Sequence, residues 1–472
     1  MGAYRQRLIH ILLIFVTVAS GHSQLLNKHS YRLDGDISTR LAGNGIIDIL
    51  AEESTIWVAT GNGLNKTTDN GQTWWTYDHR HNLGRGGVSA IAIRSGVIWV
   101  TTAYDTTIQD EDLPVGGGLS YSTDGGDSWT YIPQPGVTPI QGLTYDIALT
   151  DSSIWLACFG QSLQFSADNG STWTTRVPDR YPWDPFTYLN QRVFSVIATD
   201  DAIWVGTAGG INRTTDGGQT WINMNHLNSG ISGNFVVALA EQKHEGKSII
   251  WAATWKAEGR TEYYGVSRTE NGGLTWTVCL EGEFVHNFGI DGPTVYAATD
   301  NGLKKSTDGG VTWGTFPQMV DRSTGEKIDW QVFYSVRAQT GVLWAGSGDG
   351  LAKTEDNGLT WTVYRAFAPT EKEETYAYPN PWSPLRWESN DLPPLRLQYH
   401  TTRSTRVTIK IYDFALDLVR TLVDGKHRGP GDFSEIWDGR NREGEVVANG
   451  VYYYVVEKEG DGAARGKIVI LD

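Results

Sequence analysis

Seven near-copies of one octapeptide constrain this chain more than any other feature. They are TTDNGQTW from Thr67, STDGGDSW from Ser122, SADNGSTW from Ser166, TTDGGQTW from Thr214, TENGGLTW from Thr269, STDGGVTW from Ser306 and TEDNGLTW from Thr354. Their closing tryptophans, Trp74, Trp129, Trp173, Trp221, Trp276, Trp313 and Trp361, stand 55, 44, 48, 55, 37 and 48 residues apart. That period matches one four-stranded blade, a unit that cannot bury both its faces alone and must stack on neighbours. Within a copy, the acid can accept backbone N–H bonds across a tight hairpin. The glycine after it supplies positive φ, and the tryptophan is expected to lie over the hairpin with its ring packed and its N–H bonded. The acids are Asp69, Asp124, Asp168, Asp216, Asp308 and Asp356; the fifth copy has Asn271, which keeps an oxygen for the turn but is a poor catalytic acid. Repetition of one acid in every unit points to scaffold rather than catalysis.

These octapeptides resemble the Asp-box, or BNR repeat, of sialidases, sortilin-type receptors and many secreted propellers. Each repeat has one internal order. An apolar strand such as Ile46 to Leu50 or Val193 to Ala198 is expected innermost. A second follows, as in IWVAT from Ile56 and IWVGT from Ile203, and a third starts six residues before the box acid, at Gly63, Gly118, Ser162, Gly210, Gly265, Gly302 and Gly350. The fourth runs out of the box tryptophan. The expected fold is all-β: one seven-bladed β-propeller over residues 42–366, with residues 24–41 as an N-terminal segment of undecided role.

Residues 1–23 read as an export signal, with Arg5 and Arg7 ahead of the apolar run Leu8 to Ala19 and small residues after it. No later stretch is long and apolar enough to span a bilayer, so the mature chain is expected to have no membrane span. A 472-residue chain with 55 glycines and 20 tryptophans suits many short strands and tight turns. Its net charge of −15 argues against nucleic acid or anionic lipid as a partner. Cys158 and Cys279 fall in blades that are not neighbours, so a bridge between them is not expected.

The irregular sequence gathers on one face. From the second-strand aromatic to the third-strand start there are six residues in blades one, four, six and seven, seven in blade three, 19 in blade two and 14 in blade five. With four antiparallel strands, those loops and the connections between blades emerge opposite the Asp-boxes. A binding surface is expected there. The candidate ligand-binding residues are Tyr104 and Asp105 in blade two, and Trp183, Asp184 and Tyr188 ahead of blade four. Trp255, Glu258, Arg260 and Tyr263 in blade five and Asp321, Arg322 and Trp330 ahead of blade seven complete the set. Aromatic faces beside carboxylates suit a sugar ring or a protein loop, and they equally suit packing that orders the loops themselves.

No HExxH, paired CxxC, Walker loop or GxSxG is present, and the run Asp110-Glu111-Asp112 lacks calcium-loop spacing. No cofactor, metal ligand or catalytic residue is assigned. The enzyme alternative is glycoside hydrolysis, which needs two carboxyls, or a tyrosine nucleophile, across one bond. The chain lacks the arginine motif that sialidases carry and has room for only one ring, where Asp-box endoglucanases pair two.

After a charged linker at residues 367–375, residues 376–472 alternate as a small immunoglobulin-like β-sandwich. The segments YPNPW from Tyr378, VTIKIYD from Val407, WDGRNREGEVVANGVYYY from Trp437 and the terminal GKIVILD resemble the FlgD-type immunoglobulin-like domain and the C-terminal sorting domain of bacterial type IX secretion cargo. Leu416 stands where that family often has a turn glycine, which predicts a longer turn. Together the resemblances imply an exported or surface-displayed bacterial protein. It would bind an extracellular glycan or protein without catalysis, its tail serving secretion machinery, attachment or spacing. Similar seven-bladed rings also act as envelope assembly factors that hold a membrane-protein partner, and that alternative stays open.

Overall fold

The computed structural model describes residues 37–108, 111–138, 140–257, 259–368, 370–371 and 374–472; the expected export signal, Asp110 and Glu258 lie outside the described residues. Two compact units result, residues 37–365 and Ala366–Asp472.

The first unit is seven antiparallel sheets in the meander order expected of blades. Their innermost strands are Ile46–Glu52, Gly87–Arg94, Thr144–Leu149, Val193–Ala198, Phe235–His244, Val285–Asp291 and Phe333–Gln339. Each second strand buries its aromatic: Trp57, Trp99, Trp155, Trp204, Trp251, Tyr296 and Trp344 are all under a tenth exposed. In the third strands, Lys66, Arg213, Arg268, Lys305 and Lys353 lay their charge over that ring at 5.2 to 5.9 Å, so the stem covers apolar surface and the charge gains from the ring face.

The box tryptophans join neighbouring blades. Trp129 meets Trp57 edge-on at 6.1 Å, Trp221 meets Trp155 at 6.4 Å, Trp276 meets Trp204 at 6.3 Å and Trp313 meets Trp251 at 6.3 Å, each time the second-strand ring of the preceding blade. Trp74 makes the same contact with Trp344 at 6.2 Å, which closes blade seven on blade one. The expectation that each indole N–H is bonded holds for Trp173 and Trp313, which donate to Gly170 O and Gly310 O. In the other five boxes the indole N–H is buried without a hydrogen-bond partner.

Among the described residues the ring closes by packing, without exchange of a strand. All four strands of blade seven come from residues 333–364, and Ile37–Ser38 pairs instead with Trp74–Trp75 on the outer edge of blade one. Blade two departs from the expected loop. Its insertion is a β-hairpin of two 12-residue strands, Val97–Ile108 and Glu111–Ser122, so its third strand begins well before Gly118. The cross-strand ladder continues through Thr106 opposite Leu113, Thr107 opposite Asp112 and Ile108 opposite Glu111, a β-branched run suited to a strand.

The second unit is a sandwich. One sheet holds Thr375–Tyr378, Leu395–Thr401 and Gly431–Trp437; the other holds Leu418–Arg428, Thr405–Tyr412, Gly450–Lys458 and Gly462–Ile470. Leu397, Tyr399, Val407, Ile409, Ile411, Trp437 and Tyr454 are fully buried between them. The expected longer turn at Leu416 is not found. Leu416 takes φ +68 in a tight turn whose Asp413 accepts the Leu416 N–H, and Asp417 N–H caps the Asp413 carboxylate. A leucine thus occupies a left-handed position that glycine would fill without strain.

Candidate functional site

The Asp-box face engages its polar groups within each hairpin. The opening hydroxyl, from Thr67 to Thr354, donates to Oδ1 of the box acid or Asn271 at 2.7 to 2.9 Å. It also accepts the N–H of the glycine two residues after the acid. Those glycines all have positive φ, and a Cβ on Gly126 would come within 2.8 Å of the Trp57 ring. The Ser or Thr four residues after the acid donates its N–H to Oδ1 and its hydroxyl to Oδ2. The hydroxyl bonds and then the N–H bonds hold Asp69, Asp124, Asp168, Asp308 and Asp356 down at about 2. At Asn271 the amide reverses one bond, donating to Thr275 Oγ1 at 2.8 Å.

On the opposite face, the connection from blade three to blade four is held by amides. Gln191 is fully buried; its oxygen accepts the Asp184 N–H at 2.6 Å and its nitrogen donates to Asp179 Oδ1 and Pro182 O. Asn190 donates to Pro178 O and to Asn212, and accepts from Thr207 and Asn223. Arg192 donates to Pro185 O and Phe186 O. Held in this way, the segment exposes Tyr181 (45%), Trp183 (38%) and Phe186 (57%). Tyr181 stacks on Tyr188, centroids 4.6 Å apart and planes 4° from parallel. Both tyrosines border an open groove of about 740 Å³ that runs from this connection over Asn190 and Asn223 to Gln219, Thr220 and Trp221 of blade four's own Asp-box. The Thr187 hydroxyl and N–H hold the Asp184 carboxyl below its ordinary range.

A second concavity of about 410 Å³ lies along the central channel. Every innermost strand carries a bulge at the same register, with Ile47, Ser89, Tyr145, Phe194, Val237, His286 and Tyr334 as the extra residues. From these a run of ring contacts passes around the channel: Tyr145–Phe194 at 5.3 Å, Phe194–Phe235 at 4.5 Å, Phe235–Trp255 at 5.8 Å, Trp255–His286 at 5.3 Å and His286–Tyr334 at 5.2 Å. Inside lie Asp48 and Asp146. Each accepts the N–H of its own successor and of the next blade's strand, Ile91 for Asp48 and Val196 for Asp146. Burial raises both carboxyls against those bonds, Asp146 to about 7 with the Asp48 charge adding to it. Arg337 faces Asp48 and lowers it in part.

The remaining candidates divide. Tyr104 is covered by Arg85, whose guanidinium lies 4.2 Å from the ring centre, and burial raises the Tyr145 phenol, with the nearby Asp105 charge adding to it. Trp255 and Trp330 are buried, at 2% and 1% exposed, rather than displayed on loops. Trp255 donates to Val285 O within the aromatic run, and Trp330 sits against Tyr334 at its end. Asp321 is also buried. Burial pushes its carboxyl up, but the Ser323 hydroxyl and N–H and the Thr324 N–H outweigh that and leave it lowered within its own turn. Arg260 and Arg322 are exposed, and Tyr263 packs edge-on to His226. The residue that shapes the blade-five insertion is Glu262, which the sequence reading passed over. Its buried carboxylate accepts N–H bonds from Ala257, Gly259 and Asn234 and from the Asn234 side chain. Among the described residues no group of three or more His, Cys, Asp or Glu side chains is placed to hold a metal ion, and no helix is long and apolar enough to cross a membrane.

Comparison with known proteins places these features. The FlgD Ig-like domain model matches residues 390–462. No curated protein matches the sequence. Among solved structures, the GH74 enzyme of Niastella koreensis aligns at 13% identity with a TM-score of 0.50, covering 90% of this chain and 74% of that one. YCF48 from Cyanidioschyzon merolae aligns at 16% identity and TM-score 0.46, over 67% of this chain and 97% of that one. PorZ, a surface component of the type-IX secretion system of Porphyromonas gingivalis, aligns at 14% identity and TM-score 0.33, over 90% of this chain and 65% of its own. At such identity the likeness is one of fold: an all-β propeller followed by an immunoglobulin-like domain.

Proposed function

We propose that the chain is an exported or surface-displayed recognition protein that binds an extracellular glycan or protein without catalysis, through the face opposite its Asp-boxes. The observation that carries this reading is the connection at residues 177–192. Buried amides and Arg192 fix its backbone, while Tyr181, Trp183 and Phe186 are exposed, Tyr181 at the edge of a groove that amides rim. Ordering of that segment rests largely on polar groups, which leaves the aromatic area free for a ligand. The signal-like residues 1–23 support export, and the FlgD Ig-like match supports a tail used for secretion, attachment or spacing.

The hydrolytic alternative has weaker support. A glycosidase needs a carboxyl poised to donate a proton. Asp184 and Asp321 are held ionised by their own turns, burial with Asp105 nearby keeps the proton on Tyr145, and Asp146, the carboxyl raised to about 7, sits in the channel with its oxygens taken up by the Ile147 and Val196 N–H groups. The test is to apply purified protein to glycan and peptide arrays and to assay the bound glycans for cleavage. Saturable binding with no release of reducing ends is expected. Steady cleavage would overturn the reading in favour of a hydrolase.

A further inference from the structure

The aromatic run around the channel has its own chemistry, separate from the exposed connection. Its rings turn toward a concavity whose inner wall is aliphatic and carries two carboxylates. The basic groups already present have partners: His286 Nε2 lies 2.6 Å from Asp300 Oδ1, and Arg337 faces Asp48 and donates to Ala51 O. Asp146 is different. Its oxygens hold only backbone N–H groups, and no cation is paired with it among the described ion pairs. Tyr145, its neighbour in the strand, lines the same concavity; its hydroxyl is buried with no hydrogen-bond partner, and Asp105 stands near it.

We propose that the channel mouth is a binding site for an alkylammonium group, a positive nitrogen on an apolar stem, supplied by a free amine or by a lysine side chain of a partner. The stem lies against Phe194, Phe235 and Trp255 and the aliphatic wall. The nitrogen is drawn to Asp146, donates to the Tyr145 oxygen, and gains from the negative faces of the surrounding rings. An anionic ligand would meet Asp146 and Asp105, and a neutral one would leave Asp146 unanswered. The protein's net charge of −15 favours approach of a cation.

The experiment is calorimetric titration of the full chain at pH 8 with n-hexylammonium, hexanol and hexanoate, and with an acetyl-Gly-Lys-Gly amide. Hexylammonium is expected to bind one site, about tenfold or more tighter than hexanol, with hexanoate weaker still. Tighter binding of the lysine peptide assigns the site to a partner's side chain; tighter binding of hexylammonium assigns it to a free amine. Asp146→Asn should weaken hexylammonium by about tenfold, and Trp183→Ala should leave it unchanged. Because Asp146→Asn also loses one backbone bond, Tyr145→Phe serves as the second variant, with a several-fold loss expected while the ring contacts remain. No binding of hexylammonium, equal binding of hexanol, or an affinity indifferent to both substitutions would overturn the proposal, whatever the arrays report for the exposed connection.

Discussion

The two faces of the ring use the same kinds of side chain in opposite ways. On the Asp-box face, hydroxyls and carboxylates bond one another within eight residues, and the tryptophan is spent on the neighbouring blade. Leu274, Val311 and Leu359 are exposed there, but singly, one to a box. On the other face, buried amides shape the backbone and aromatic rings are left over, either exposed at Trp183 and Phe186 or turned to the channel at Phe194 and Trp255. Polar groups that engage each other locally make a scaffold; polar groups that hold a loop from beneath free its rings for recognition.

This contrast can be broken most severely at Trp74. It is wholly buried and meets both Trp344 and Tyr364, so Trp74→Ala should cost about 3 to 5 kcal/mol and open the closure between blades seven and one. Urea unfolding followed by tryptophan fluorescence checks it. A cost below about 1 kcal/mol would mean that closure does not rest on this contact.

Acid should separate the faces in sign. Box carboxyls held at about 2 in the fold, against an ordinary 3.8, contribute stability that is fully present above 3.8 and lost as pH falls through 2. Asp146, raised to about 7, favours the fold fully below 3.8 and loses that contribution as pH rises to 7. Melting temperatures should therefore climb from pH 2 to 4 and drift down toward pH 7. Asp146→Ser, the residue found at this register as Ser195 and Ser335, should flatten the second limb alone.

A smaller effect sharpens the scaffold side. Asp308→Ala removes the acceptor for Thr312 and Ser306 and should lower the unfolding midpoint, whereas Asp308→Asn should lower it less, since Asn271 already serves one box. Equal losses would show that the charge, not the turn bonding, matters. The smallest stability change belongs to the exposed face: Trp183→Ala and Phe186→Ala should each stay within about 0.5 kcal/mol of the parent.

Much of the fold was legible because its signals are local. The box, the Ile-Trp second strand and the glycine six residues before the acid each report a turn or strand within about 20 residues, and six of the seven third strands begin where that offset puts them. The channel was not legible. Tyr145, Phe194, His286 and Tyr334 come together only because seven bulges fall at one height when the blades stack, and no window of sequence contains that alignment. Trp255 and Trp330 looked like loop residues because they stand at strand ends beside irregular sequence, yet both turn inward. Blade two's insertion read as a loop because its length was visible and its pairing was not. Glu262 gave no signal, since one acid among several in an insertion does not announce which backbone N–H groups will surround it.

The central claim, that recognition belongs to the face whose rings remain free, is tested most directly by array binding of three proteins side by side: the parent, Trp183→Ala with Phe186→Ala, and Val311→Ser with Leu359→Ser. The account predicts that ligands bound by the parent are lost with the first pair of substitutions and kept with the second. Ligands kept by the first pair and lost by the second would contradict it.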